Sequence, residues 1–222
     1  MSTGKGHISE LILEDGRQYV RVSCPSNLIP NPGQYVLASD GSDSPLPAPL
    51  FYTDSAPQGF VAAAPLNASW SPGVSLQLRG PLGRGFNLPL AARRVGLVAL
   101  DGSAALLRGL IQPALKQDAA VVLVSNSAPD NLPDDVEIQP LSALGEVLAW
   151  ADYVGFDIAR ENLQQLRQQL ERRNMAGMGA QVLIRTPVPC GGIADCGVCA
   201  VALKSEWKMA CKDGPVFDWG EL

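Results

Sequence analysis

Residues 8–88 contain short runs of strand-forming residues that glycine and proline separate. Several short strands with a turn signal about every ten residues are typical of a small antiparallel barrel. The predicted strands are residues 8–13, 19–22, 34–37, 59–63 and 74–78. Residues 40–49 contain three prolines and little periodicity, so we predict a loop there.

From residue 94 onward, continuously apolar runs alternate with stretches of helical spacing. The predicted strands are 95–100, 119–124, 151–156 and 181–185, and the predicted helices are 103–116, 141–150 and 162–174. Apolar runs of this length are expected for strands buried on both faces. Pro113 should kink the first helix or end it early. The alternation indicates a parallel sheet with helices on its faces.

The composition excludes several classes of protein. With 222 residues, 46% hydrophobic and 18% charged, the chain can bury a core and is not disordered as a whole. The net charge is −5 and no basic cluster stands out, which argues against a nucleic-acid partner. No run of 18 apolar residues predicts a membrane span. Residues 1–7 lack the apolar stretch of a signal peptide, so we expect a cytoplasmic protein.

Four of the five cysteines lie near the end of the chain, with the spacing C-x5-C-x2-C-x11-C. They are Cys190, Cys196, Cys199 and Cys211. In a cytoplasmic protein such cysteines suit metal binding or free thiols better than disulfides. Thiolates are soft ligands for iron–sulfur clusters and for zinc.

The spacing favours an iron–sulfur cluster over the alternatives. Plant-type ferredoxins use C-x4-C-x2-C and a distant fourth cysteine, and this segment has one more residue in the first gap. Small residues between the ligands would let the backbone approach the sulfurs. Structural zinc usually shows two short cysteine pairs, and only one is present here. Zinc and a metal-free segment remain open alternatives, and Cys24 is predicted to be a buried apolar residue.

Two motifs carry a resemblance to a known family. After the fourth cysteine the chain reads Lys-Asp-Gly-Pro-Val-Phe, and residues 80–86 read Gly-Pro-Leu-Gly-Arg-Gly-Phe. Together with the order of barrel, α/β region and cysteine segment, they resemble the electron-transfer subunit of NAD-dependent dihydroorotate dehydrogenase. That family belongs to the ferredoxin–NADP reductase superfamily. The resemblance predicts a barrel domain at 1–90, an α/β domain at 91–186 and an iron–sulfur lobe at 187–222.

The resemblance also implies cofactors and a partner. Members of the family carry FAD between the barrel and the α/β domain, NAD(H) on the α/β domain and a [2Fe–2S] cluster in the C-terminal lobe. They pass electrons to or from a catalytic flavoprotein subunit in a hetero-oligomer that serves pyrimidine biosynthesis. By resemblance, a flavin-proximal loop would include Gly80, Gly83, Arg84 and Gly85.

The flavin motif departs from the family pattern. The family has Arg-Pro-x-Ser in the barrel, and Ala48 and Phe51 stand in place of the arginine and the serine. Loss of the arginine removes a charge-assisted hydrogen bond to phosphate, about 1.5–3 kcal/mol. Tyr52 or Thr53 would supply a hydroxyl instead, and Arg79 or Arg84 would replace the cation. A second flavin-binding turn, expected at 64–70, contains no glycine.

The nucleotide-binding turn departs further. Residues 99–104 contain one glycine, and Asp101 would place a negative charge beside the phosphates. We therefore do not expect NAD(H) to bind, and we leave FAD open. Two hypotheses result: an electron-transfer subunit with a [2Fe–2S] cluster and FAD if retained, or a degenerate paralogue that acts as a cluster-bearing scaffold. A zinc-bearing interaction module is a third. Trp207 and Trp219 are predicted to pack the C-terminal lobe against the rest.

Overall fold

The computed structural model describes residues 2–14, 16–42, 44, 46–63, 70–127, 131–171, 175 and 177–222. The strands are β1 (Ser2–Glu14), β2 (Arg17–Ser23), β3 (Tyr35–Ser39), β4 (Ala48–Ala56), β5 (Gly59–Ala63), β6 (Ser75–Leu82), β7 (Arg94–Ala99), β8 (Ala120–Val124), β9 (Val136–Gln139), β10 (Tyr153–Ala159), β11 (Gly179–Arg185), β12 (Ala200–Ala202), β13 (Trp207–Met209) and β14 (Val216–Asp218). The α-helices are α1 (Ile111–Lys116), α2 (Leu144–Trp150) and α3 (Leu163–Glu171).

The first six strands close into an antiparallel barrel with the order β1-β2-β5-β4-β3-β6. This confirms the predicted barrel, with two differences in its strands. Strand β1 begins at Ser2 because residues 2–7 pair with residues 75–80 of β6. Strand β4 was not predicted, and it starts inside the expected loop. The prolines masked this strand in the sequence. It forms because it pairs with β3 on one side and with β5 on the other.

The second half of the chain forms a six-stranded sheet with the order β14-β11-β10-β7-β8-β9. Five strands are parallel, including the four that were predicted, and β14 joins antiparallel to β11. Strands β9 and β14 were not predicted. In β9 only Val136 is buried, so this edge strand lacks an apolar run. Strand β14 comes from the C-terminal segment, so that segment contributes to the sheet.

The predicted helix at 103–116 is divided into three short pieces. Two 3-10 turns, Ala104–Leu106 and Arg108–Leu110, precede α1. Pro113 is the third residue of α1, where a backbone N–H has no partner inside the helix, so proline is tolerated. The expectation that Pro113 kinks or ends the helix was wrong, because the α-helix begins just before it.

The main core joins the barrel, the sheet and the cysteine segment. Buried barrel residues Tyr35, Leu37 and Leu82 belong to the same apolar cluster as Cys199 and Cys211. Folding of the barrel and formation of the cysteine site therefore share one packed interior. Among the described residues, no helix is both long and apolar enough to cross a membrane.

Candidate metal centre

The four predicted cysteines meet as two pairs. The Sγ atoms of Cys190 and Cys196 lie 3.7 Å apart, and those of Cys199 and Cys211 lie 3.2 Å apart. The second pair is buried, whereas Cys196 is exposed and Cys190 is half-buried. Four thiols from three separate stretches of the segment thus gather at one place, with one pair inside and one pair near the surface.

Glycines next to Cys190 allow the loop to turn closely around the site. Gly191 has φ +51° and Gly192 has φ +84°, in the left-handed region that favours glycine. A Cβ on Gly191 would lie 2.5 Å from Nη2 of Arg79 and 2.6 Å from Cδ1 of Leu37. Any side chain at Gly191 would therefore push the loop away from the barrel.

The electrostatics of the thiols fit a bound metal. Burial and, after it, the neighbouring Cys199 raise the pKa of Cys211 to about 12. Burial also raises the pKa of Cys190, but hydrogen bonds with the backbone of Ala194 and Gly192 outweigh it and bring the pKa to about 7. Two thiolates at a sulfur–sulfur distance of 3.2 Å would repel each other, and a bound cation would offset that repulsion. A metal centre supplies that cation, so this donor set suits an iron–sulfur cluster.

The barrel holds the cysteine loop through Arg79 and Tyr35. Arg79 donates from Nη2 to the carbonyl of Cys190 (2.7 Å) and from Nη1 to the carbonyl of Gly191 (3.1 Å). The Tyr35 hydroxyl donates to the carbonyl of Cys211 at 3.5 Å. Burial and the nearby thiols raise the pKa of Tyr35, and Arg79 opposes this shift. A cation and a phenol of the barrel thus stand beside the site, which sequence spacing did not reveal.

The two motifs behind the family resemblance contact each other. Gly83, with φ +75°, approaches Gly214 so closely that a Cβ would lie 2.6 Å from its carbonyl oxygen. The amide of Arg84 donates to this same carbonyl, and its guanidinium pairs with Asp218 and with Glu221 at 3.3 Å. Of the two proposed replacement cations, Arg84 therefore binds carboxylates of the C-terminal segment.

The other two glycines of the loop allow close contacts within the barrel. A Cβ on Gly80 would lie 2.6 Å from Cγ1 of Val36, and one on Gly85 would lie 2.7 Å from the carbonyl oxygen of Pro32. These contacts explain the glycines by packing. A flavin role for Gly80, Gly83, Arg84 and Gly85 stays a prediction.

A cleft of about 580 Å³ lies between the barrel and the α/β sheet. Phe51 lines it, together with Arg17 and Arg185, and the neighbouring Thr186 hydroxyl is buried without a hydrogen-bond partner among the described residues. Its volume suits the flat ring of a flavin. Strand β4, however, carries no Lys or Arg that would bind the diphosphate. The cleft therefore fits the flavin ring and lacks the family's partner for the phosphates.

The two proposed hydroxyl donors lie away from this cleft. Thr53 is buried and donates its hydroxyl to the carbonyl of Val61 at 3.0 Å. The ring of Tyr52 lies against Phe60 and against Gly109. A Cβ on Gly109 would be 2.5 Å from Cε1 of Tyr52. Both side chains serve barrel packing, and their flavin role stays a prediction. The expected second flavin turn at 64–70 lies, except for Trp70, outside the described residues.

The carboxylate of Asp101 lies at the carboxyl edge of the parallel sheet, where it binds three neighbouring residues. Its carboxylate accepts from the amide of Ala159 (2.6 Å) and from Nδ2 of Asn162 (2.8 Å), and it pairs with Arg185 at 3.3 Å. Arg185 also binds the buried Asp157 at 2.7 Å. Burial raises the pKa of Asp157 to about 6, although Arg185 lowers it. A dinucleotide would meet carboxylates that are already bound to their own partners at this edge.

Trp219 packs as predicted and Trp207 does not. The ring centroid of Trp219 is 6.4 Å from that of the buried Phe156. Trp207 is 69% exposed, so the expectation that it packs the lobe against the rest was wrong. Its strand β13 pairs with β12 in a small hairpin, and most of the indole is exposed to solvent.

Residues 190–222 match the family model of the iron-sulfur cluster binding domain of dihydroorotate dehydrogenase B. The predicted resemblance is confirmed. The matched residues contain all four cysteines, β14 and the sequence that contacts Arg84. The dihydroorotate dehydrogenase match concerns this C-terminal segment, about a seventh of the chain.

Solved structures with the same fold extend the likeness over the whole chain. A structure of the NADH-dependent reduced ferredoxin-NADP oxidoreductase of flavin-based electron bifurcation has a TM-score of 0.73 and 16% identity, covering 99% of this chain and 90% of that one. The ferredoxin reductase in carbazole 1,9a-dioxygenase has a TM-score of 0.60 and 16% identity, covering 80% and 64%. A ferredoxin NADP+ reductase from Neisseria gonorrhoeae has a TM-score of 0.57 and 13% identity, covering 83% and 99%.

At these identities the structures establish the fold alone. The fold is that of ferredoxin reductases, with an antiparallel barrel, a mainly parallel sheet and an iron–sulfur segment at the C-terminus. This confirms the predicted fold class. The match of residues 190–222 supports an iron–sulfur cluster site in that segment.

Proposed function

We propose that this chain is an electron-transfer subunit that holds a [2Fe–2S] cluster on Cys190, Cys196, Cys199 and Cys211. The observation that carries the proposal is the arrangement of the thiols as two pairs within the segment that matches the iron–sulfur family. In a [2Fe–2S] cluster each of the two irons takes two protein ligands.

The same arrangement speaks against a zinc module. A structural zinc ion needs its four ligands around one centre. Two adjacent pairs of thiols, each with its own short sulfur–sulfur distance, suit two irons better than one zinc.

The contacts and the exposure of the residues around the site suit one-electron transfer. A bound [2Fe–2S] cluster supplies a centre that gains and loses one electron at a time. Arg79 and Tyr35 hold the backbone of the ligand loops, and the buried pair Cys199–Cys211 lies in the core. Cys196 is exposed, so a partner reaches the site from this side without opening the fold.

We infer the partner and the cellular location from the resemblance to the family. The proposed partner is a catalytic flavoprotein subunit of the dihydroorotate dehydrogenase type, in a hetero-oligomer in the cytoplasm. The substrate would react on that partner. If FAD is retained, it would occupy the cleft beside Phe51 and would exchange electrons between a two-electron donor and the cluster.

A second candidate function is that of a cluster-bearing adaptor without flavin or NAD(H). Two observations favour it: the internal bonds of Asp101 at the nucleotide edge and the absence of a cation on β4. In this form the chain would position a cluster between other redox proteins and would not itself react with NADH.

Anaerobic purification followed by iron, sulfide and flavin analysis tests both functions. The proposal predicts about two irons and two sulfides per chain, and electron paramagnetic resonance of a [2Fe–2S] centre after reduction. Bound FAD together with NADH-dependent reduction supports the first function, and the cluster alone supports the adaptor. Zinc, or a protein without iron when it is prepared anaerobically, would refute both.

A further inference from the structure

A groove of about 450 Å³ lies between helix α3 and the β12–β13 hairpin. One wall carries Arg160 and Arg167, and the other carries Ala202 and Trp207. Gly197, which lies between the proposed cluster ligands Cys196 and Cys199, also lines the groove. The groove therefore opens directly beside the exposed side of the metal centre.

Trp207 gives the groove an apolar surface that faces solvent. The side chain is 69% exposed, and its backbone pairs with Ala202 across the hairpin. Tryptophan is enriched among residues that dominate the binding energy of protein interfaces. An exposed indole can pack its ring against an apolar side chain of a partner while its N–H donates a hydrogen bond.

The charge of the groove is opposite to that of the chain. The whole protein carries a net charge of −5, yet the two charged residues that line the groove are both arginines. Arg160 donates to the carbonyls of Val198 (2.7 Å) and Ala200 (3.2 Å), and Arg167 donates to the carbonyl of Ala202 at 2.5 Å. Carbonyls satisfy donors without neutralising the charge.

Neither arginine has a carboxylate partner within the described residues. None of the ion pairs of the structure includes Arg160 or Arg167, and Nε of Arg167 is buried without a hydrogen-bond partner among the described atoms. Glu206, next to Trp207, already binds Lys208 at 3.5 Å. The site offers two positive charges and one aromatic face to an outside group.

We propose that this groove docks an acidic segment of the redox partner, with carboxylates on the two arginines and an apolar side chain on Trp207. Arginine binds carboxylates through two parallel hydrogen bonds, and charge complementarity increases the rate at which redox partners meet. The inference rests on the proposed electron-transfer function, since Gly197 separates two of the cluster ligands. It adds the chemistry of the partner: an acidic surface with an exposed apolar residue.

Binding of a synthetic peptide of alternating Glu-Glu-Leu units to the cluster-loaded full chain tests the inference by calorimetry. We expect binding that weakens with salt, that a Lys-Lys-Leu peptide does not reproduce, and that inorganic pyrophosphate does not displace. Trp207→Ala and Arg160→Gln should each weaken binding by roughly tenfold. Lys204→Gln, which removes an exposed charge of the same lobe outside the groove, should leave binding unchanged.

Iron content and circular dichroism of each variant separate this inference from the proposed function. A protein that holds its cluster but does not bind the acidic peptide, or binds it equally well after Trp207→Ala and Arg160→Gln, overturns the docking inference alone. Displacement by pyrophosphate also overturns it, because it would identify a phosphate site. Absence of iron from every preparation would instead refute the proposed function.

Discussion

Replacement of Arg79 by methionine should change both the potential and the lifetime of the cluster. The side chain is half-buried, and its guanidinium donates to the carbonyls of Cys190 and Gly191. Methionine keeps an apolar stem but removes the charge and both hydrogen bonds. Arg79→Lys keeps the charge and loses the two-pronged contact, so the pair of variants separates electrostatics from positioning.

The expected shift in potential follows from the charge. A unit charge about 8 Å from an added electron contributes about 2 kcal/mol at an effective dielectric constant of about 20. Solvent screening of the half-buried Arg79 reduces this to about 1 kcal/mol. Since about 1.4 kcal/mol corresponds to about 59 mV for one electron, Arg79→Met should lower the reduction potential by about 40 mV. The sign is negative because the reduced cluster carries the greater negative charge.

The expected effect on lifetime follows from the hydrogen bonds. Each bond from a charged donor contributes about 1.5–3 kcal/mol when buried, and about half of that here because Arg79 is partly exposed. Both Met and Lys variants should therefore lose iron to a chelator roughly tenfold faster than the parent protein. A redox titration followed by electron paramagnetic resonance measures the potential, and visible absorbance measures the loss of the cluster.

Arg21→Gln is the matched control for this experiment. Arg21 lies on β2 of the same barrel and pairs with the exposed Glu10 at 3.1 Å, away from the cysteine loop. Its loss should leave potential and lifetime unchanged. An unchanged potential in Arg79→Met would refute the electrostatic reasoning, and an unchanged lifetime in both Arg79 variants would refute the positioning role.

Three further predictions concern the site and the packing around it. Cys196→Ser should abolish the visible spectrum of the cluster, whereas Cys24→Ser, outside the site, should retain it; equal spectra would contradict the ligand assignment. Gly83→Ala should lower the free energy of unfolding by about 3 kcal/mol, because its Cβ meets a carbonyl oxygen at 2.6 Å in addition to an unfavourable φ. Gly41→Ala, with φ +77° and open space around it, should cost only about 1 kcal/mol in the same denaturant titration, and equal costs would exclude the clash. Burial raises the pKa of Asp157 from 3.8 to about 6, so the contribution of its protonated form to stability is present below pH 4 and is lost as the pH rises through 6. Asp157→Asn should flatten this fall in the free energy of unfolding, and an unaltered pH profile would contradict the shift.

Strands and ligands whose signals are local could be predicted from the sequence. The continuous apolar runs of β7 and β8 identified buried parallel strands, because both faces of these strands need apolar side chains. The spacing of the cysteines predicted the ligand set, which stays a prediction, because Cys190, Cys196 and Cys199 lie within ten residues of one another. Strand β4 escaped prediction because prolines mask it, and β9 because it is an exposed edge.

The sequence by itself determined the barrel, the parallel sheet, the iron–sulfur segment and the resemblance to a family, because each rests on residues near one another along the chain. Only the tertiary structure decided which partners Arg79 and Arg84 have, how the thiols divide into pairs and where Asp101 makes its bonds. Arg79 and Cys190 are 111 residues apart, and Gly83 and Gly214 are still further apart. Such contacts depend on closure of the barrel and on the return of the C-terminal segment to the sheet. No pattern of neighbouring residues in the sequence indicates these contacts.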